Sequence, residues 1–124
     1  MNAWVLDASV AAKWFPPPED ETLVEEALGI LSDFGSGQCR IIVPDLFWCE
    51  VTNILWKASR QGRITRKIAE EATRTLVGLT FQTKPSLEII VEAIRISLGC
   101  ERLVHDSIYV ALRGDERMPP AHGR

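Results

Sequence analysis

Trp4-Val5-Leu6-Asp7-Ala8-Ser9 is a short apolar run that ends in a carboxylate, and the order of the chain's elements follows from it. A continuous apolar run this brief suits a strand covered on both faces, so residues 4–6 predict a buried strand. Asp7 then stands at the strand's carboxyl end, where open α/β sheets place their ligands. An ionised carboxylate only accepts hydrogen bonds and is a hard ligand, suited to a divalent cation with oxygen donors around it. An Asp after a strand is also a common cap for the next helix, and the stretch alone leaves both roles open.

Downstream, Ala8 to Trp14 predicts a short helix closed by Pro16-Pro17-Pro18, which cannot continue one. Glu19, Asp20 and Glu21 form an acidic first turn for the next helix, with Leu23, Val24, Ala27, Leu28 and Leu31 inward. Arg40-Ile41-Ile42-Val43 is a β-branched strand stopped by Pro44. Asp45 is placed to cap a helix whose apolar residues include Leu46, Phe47, Val51, Ile54, Leu55 and Ala58, and which runs to about Gln61 and stops at Gly62, a natural residue beyond a helix end. Thr65 opens another, with Ile68, Ala69, Ala72, Leu76 and Val77 inward. Leu79 to Thr83 predicts a third strand, ended by Pro85. Ser86 caps a helix whose inward face is Leu87, Ile90, Val91, Ile94 and Leu98, and residues 103–112 form a last one. The order β-α-α-β-α-α-β-α-α predicts an α/β fold with a central parallel sheet covered by helices.

The chain has 124 residues, enough for one domain with a real core. Its hydrophobic share of 46% and charged share of 25% are those of an ordinary globular protein. Met1 leads directly into the first strand and no apolar run approaches the roughly 20 residues of a membrane span. Cys39, Cys49 and Cys100 are odd in number and lack metal-ligand spacing. Reduced thiols and a cytoplasmic location are therefore expected, without membrane association. A net charge of −3 argues against a general nucleic-acid coat but leaves a nuclease open, since a cation-binding acidic cluster itself tilts the balance.

Asp7 at a strand end, Glu50 within a helix's apolar stripe and Asp106 in a helix's first turn come from three separate parts of the chain. Glu50 needs a partner if it is buried and none if it snorkels to solvent, and both remain open. Were the three to converge, their repulsion would require a cation or a shared proton.

The sets Val-Leu-Asp-Ala-Ser at 5–9, Val-Pro-Asp-Leu…Glu-Val-Thr-Asn at 43–53 and His-Asp-Ser-Ile-Tyr-Val-Ala-Leu at 105–112 resemble the PIN-domain ribonucleases. The branch they are most similar to is the VapC-type toxins of toxin–antitoxin pairs. The resemblance implies a three-layer α/β/α fold over residues 1–112, and Asp7, Glu50 and Asp106 as catalytic, metal-binding acids supported by Ser9. It further implies dependence on Mg²⁺ or Mn²⁺, hydrolysis of RNA, a homodimer and a cognate antitoxin that blocks the site.

The resemblance stops at Leu112. The family continues into a fourth strand that delivers a fourth Asp, whereas residues 113–124 form an atypical tail containing Pro119-Pro120. The expected fold therefore lacks its last strands; the family's sheet order puts the missing strand beside the first, so the resemblance implies an open edge on the strand before Asp7. Gly114 is expected to end the last helix and leave Asp115 in an exposed tail. Asp115 follows Asp106 by nine residues, so even a continued helix would carry it to the opposite face, and it is not expected to ligate.

Lys57, Arg60, Arg63, Arg66 and Lys67 form a basic run, either a solvated helix end and turn or a phosphate-contacting rim for RNA. Trp14, Trp48 and Trp56 read as core or dimer-contact aromatics rather than base-stacking platforms. His105 lacks a second His at ligand spacing, and Cys49 lacks a His partner. The rival to a ribonuclease is a catalytically impaired module that binds an antitoxin or dimerises. A phospho-accepting receiver domain would want adjacent acids near the first strand and a late Lys after a strand, and neither is present.

Overall fold

The computed structural model describes residues 2–15 and 24–116. The triple proline, the acidic turn at 19–21, Leu23 and the segment from Arg117 onward lie outside the described residues. Strands β1 (Asn2–Val5), β2 (Cys39–Pro44) and β3 (Gln82–Lys84) form a parallel sheet in the order β1-β2-β3. The helices are α1 (Ala8–Ala11), α2 (Val24–Gly35), α3 (Leu46–Arg60), α4 (Arg66–Gly78), α5 (Ile90–Cys100) and α6 (Val104–Glu116). Single 3₁₀ turns extend α1 over Ala12–Trp14 and precede α5 over Ser86–Glu88.

The strand residues alternate between two buried clusters, as a period of two requires. Leu6, Ile41 and Val43 join a core with Val10, Phe47, Leu55 and Leu76, built by α1 to α4. Val5 and Ile42 join Ala93, Ile108, Tyr109 and Leu112 from α5 and α6. The sheet is therefore covered by helices on both faces, a mixed α/β arrangement of three layers. Fully burying each large apolar side chain contributes about 1.5–3 kcal/mol, which is why the short central strand is almost wholly apolar. Among the described residues β1 pairs with β2 alone, so its outer edge is open.

Several predicted boundaries and faces move. The first strand begins and ends earlier than 4–6; Leu6 still donates to the Ile42 carbonyl at 3.3 Å but the chain is already turning toward Asp7. The third strand starts at Gln82 rather than Leu79, because Leu79 closes α4 and Thr80 takes a left-handed φ of 54°. Asp45 adopts helical angles and caps nothing in α3; its carboxylate instead accepts from the Ser86 amide at 3.1 Å, fixing the turn before α5. Ser86 thus opens a 3₁₀ turn rather than the helix itself. Leu28, Ile68 and Val77, expected inward, are exposed, as are Leu87, Ile90, Val91, Ile94 and Leu98. Gly114 does not end the last helix, which runs to Glu116. By contrast, α3 closes before Gly62 at φ 75°, and the Thr65 hydroxyl caps α4 by accepting from the Ile68 amide at 3.1 Å.

Candidate active site

The turn after β1 is built around Asp7. Its backbone is extended (φ −94°, ψ 164°), as a helix cap requires, and its Oδ1 accepts from the amides of Ser9 and Val10 at 3.0 and 3.2 Å. The Ser9 hydroxyl donates to the same oxygen at 2.5 Å. The two roles left open for Asp7 are therefore not exclusive. The cap holds a nearly buried carboxylate in one orientation, and that carboxylate also lines a cavity.

Glu50 projects from the middle of α3 at the boundary between core and solvent. Its partner is the Tyr109 hydroxyl on α6, which donates to Glu50 Oε1 at 2.6 Å. Burial raises the Tyr109 pKa above the ordinary phenol value, and the hydrogen bond to Glu50 and the charges of Glu50 and Asp7 raise it further. The phenol therefore stays protonated and remains a donor. A neutral donor satisfies one Glu50 oxygen without neutralising its charge.

Asp106 is exposed in the first turn of α6, where the helix dipole favours a carboxylate. It lines the same cavity as Asp7 and Glu50, a cleft of about 260 Å³ between α1, α3 and α6 that also takes Ser9, Asn53 and Tyr109. All three predicted acids and Ser9 are thus brought to one place. Tyr109 and Asn53 escaped the reading of individual residues, although each lies three positions along a helix from an acid. That spacing places side chains on neighbouring ground and was the available signal.

The lining of this cleft contains no Lys or Arg. The donor set is oxygen-rich and suits a hard cation. Among the described residues, however, no three acidic, imidazole or thiol groups are gathered into a ready-made metal cluster. Mg²⁺ typically engages only one or two carboxylates and keeps several waters, so the set fits a cation held partly through water. Asp115 lies away from the cleft and pairs with Lys84 at 3.5 Å, and Lys84 also meets Glu88 at 3.5 Å. Glu88 and then Asp115 hold the Lys84 ammonium pKa above its usual value.

None of the five residues of the basic run lines the acidic cleft. Arg60 and Arg66 instead border a larger groove of about 780 Å³ between α3 and α4, with Arg74 and Trp56. Lys57 and Lys67 are exposed, and Arg63 is half-buried and donates to the Gln61 side chain at 3.1 Å. Trp14 is a core residue whose indole donates to the Ala27 carbonyl, and Trp48 packs on Phe47 and Phe81. Trp56 is 54% exposed, with the Arg60 guanidinium 5.3 Å from its ring centroid. His105 is exposed and does not line the cleft, and the three cysteines are free thiols.

Among the described residues no helix is long and apolar enough to cross a membrane. In comparisons with known proteins, no family model and no curated protein matches the chain.

Proposed function

We propose that the cleft between α1, α3 and α6 is the active site of a PIN-like, metal-dependent endoribonuclease, the toxin of a toxin–antitoxin pair. The observation that carries this reading is that Asp7, Glu50 and Asp106, far apart in sequence, line one cleft that has no basic lining residue. Such a cleft repels a phosphodiester by itself, so a cation is needed before the scissile phosphate can enter it. Asp7, Glu50 and Asp106 would hold Mg²⁺ or Mn²⁺. When bound, the metal supplies an activated water and neutralises charge on the phosphate.

The chain's own residues prepare that event. Ser9 and the Val10 amide fix Asp7 in one rotamer, and Tyr109 fixes Glu50 against α6. Asn53 brings a side-chain amide to the rim, able to donate to a phosphate oxygen or to a water. The same reading brings RNA as substrate, a protein antitoxin and a second copy of the chain as partners, in the cytoplasm.

A catalytically impaired module that binds its antitoxin without cleaving is the second reading. It is favoured by the absence of a ready-made metal cluster among the described residues. Cleavage of total RNA with Mn²⁺ or Mg²⁺, wild type beside Asp7→Asn and Asp106→Asn, decides between them. Metal-dependent fragments from the wild type alone support the enzyme. Equal, metal-independent inactivity of all three supports the module.

A further inference from the structure

The groove between α3 and α4 is unused by the chemistry above, yet it adjoins the acidic cleft along a single helix. Asn53 lines the cleft and Trp56 lines the groove, and the two are neighbours at a spacing of three residues on α3. Trp56 follows Glu50 by six residues, a rise of about 9 Å along the axis. Between them the exposed face of α3 carries Asn53, and the exposed Lys57 follows directly after Trp56. A chain leaving the cleft over this face passes the Asn53 amide and then meets the groove at Trp56, with the Lys57 ammonium beside it.

The groove itself has the chemistry of a nucleotide site. Its cations are Arg60, Arg66 and Arg74, and its one acid, Glu70, lies 3.6 Å from Arg74. The balance is positive, against a chain whose net charge is −3. The half-exposed Trp56 indole under the Arg60 guanidinium offers a flat platform, and unpaired bases stack on both aromatic rings and guanidinium planes. Leu55 and Ala69 supply an apolar floor for a base. An exposed Trp in a basic groove would be a poor choice for a merely solvated helix end.

Resting on the proposed ribonuclease activity, we infer that this groove is a subsite for single-stranded RNA. It takes an unpaired base of a nucleotide flanking the scissile phosphodiester on the Trp56–Arg60 platform, with Arg66 on a phosphate. The subsite selects single strands, because a paired base has no free face to offer and a duplex is too stiff to bend across α3. At 54% exposed, Trp56 is not the core residue that was one of its two expected roles.

The test is fluorescence anisotropy of labelled single-stranded RNA on the full chain in EDTA, paired with Mn²⁺-dependent cleavage measured separately. Trp56→Ala should weaken binding about tenfold, and Trp56→Phe should recover most of it, since stacking tolerates a change of ring. Arg60→Ala with Arg66→Ala should weaken binding and flatten its dependence on salt. Duplex RNA of the same sequence should bind more weakly and ignore Trp56→Ala. Circular dichroism should show all variants folded, as expected for exposed positions. Unchanged single-strand affinity in Trp56→Ala overturns the subsite, as does wild-type binding of poly-glutamate but not RNA, which would assign the groove to an acidic protein partner. Trp56-dependent binding without any cleavage leaves the subsite standing and removes the ribonuclease. Cleavage with an unaltered kcat/KM in Trp56→Ala does the reverse.

Discussion

Helices α3 and α5 were read from the same kind of apolar periodicity, and they behave oppositely. In α3 the stripe of Phe47, Val51, Leu55 and Ala58 is buried as its spacing predicts. In α5 the predicted face turns outward: Leu98 is 78% exposed and Val91 61%, and Leu87 just before the helix is 84% exposed. The face that meets the domain is instead Ala93 and Ser97, small residues that let α5 lie close against α6. There the Ser97 hydroxyl donates to the Ser107 hydroxyl at 2.7 Å, with both residues buried. Periodicity therefore establishes that a helix is amphipathic; which face is covered depends on what the neighbours need, and a closely packed pair needs small side chains.

The contrast can be broken most sharply by truncation. Phe47→Ala should cost about 3–5 kcal/mol in urea unfolding, since the site is fully buried between α3 and the sheet. Leu98→Ala on α5 should stay within about 0.5 kcal/mol. A comparable loss at Leu98 would mean that the apolar face of α5 is covered in solution.

The next effect concerns the serine pair. Ser107→Ala should cost about 1–3 kcal/mol by leaving the buried Ser97 hydroxyl without its partner. Replacing both serines with Ala should cost less than the two single changes added together, which a double-mutant cycle in urea would measure. Additive losses would show that the contact is packing alone.

How much of this was legible follows from where the information lay. The ends of α3 and α4 were readable because Gly62 and Thr65 act on residues within one helical turn. The actual role of Asp45 was not, since its carboxylate serves an amide 41 positions away. The left-handed Thr80 that delays β3 carries no residue signature, being neither Gly nor Asn. The acids of the cleft were legible as candidates because a strand end, an apolar stripe and a first turn are local features. Their sharing of one cleft, and the Tyr109 hydroxyl on Glu50, depend on how α3 meets α6. The burial of α5 by its small side was hidden for the same reason.

Tyr109 gives a smaller, pH-dependent test of that α3–α6 contact. Its folded pKa is raised, so the stabilisation is full below the unfolded value of about 10 and is lost as pH rises beyond it. Wild type should therefore lose stability above pH ~10 more steeply than Tyr109→Phe, which has no phenol to ionise. Tyr109 is the single tyrosine of the chain, so tyrosinate absorbance reports it directly. Tyrosinate appearing near the ordinary value in the folded protein would contradict the buried donor. The smallest effect is expected at Asp115, whose pairing with Lys84 keeps it outside the cleft. Asp115→Ala should leave metal affinity and RNA cleavage unchanged, and a loss comparable to Asp106→Ala would show that this end of the molecule reaches the site.

If Asp7, Glu50 and Asp106 form one cation site, the melting temperature of the protein responds to an Mn²⁺ titration. Asp106 is the cleanest position to alter, because it is exposed, whereas Asp7 also caps α1. Wild type should gain about 2.7 kcal/mol of stability at a hundred times the dissociation constant, seen as a rising melting temperature. Asp106→Asn and Asp7→Asn should each lose that rise, and Asp106→Asn should match or exceed wild-type stability without metal, as like charges are relieved. If both variants respond to Mn²⁺ as the wild type does, the three carboxylates share a cleft but not a cation.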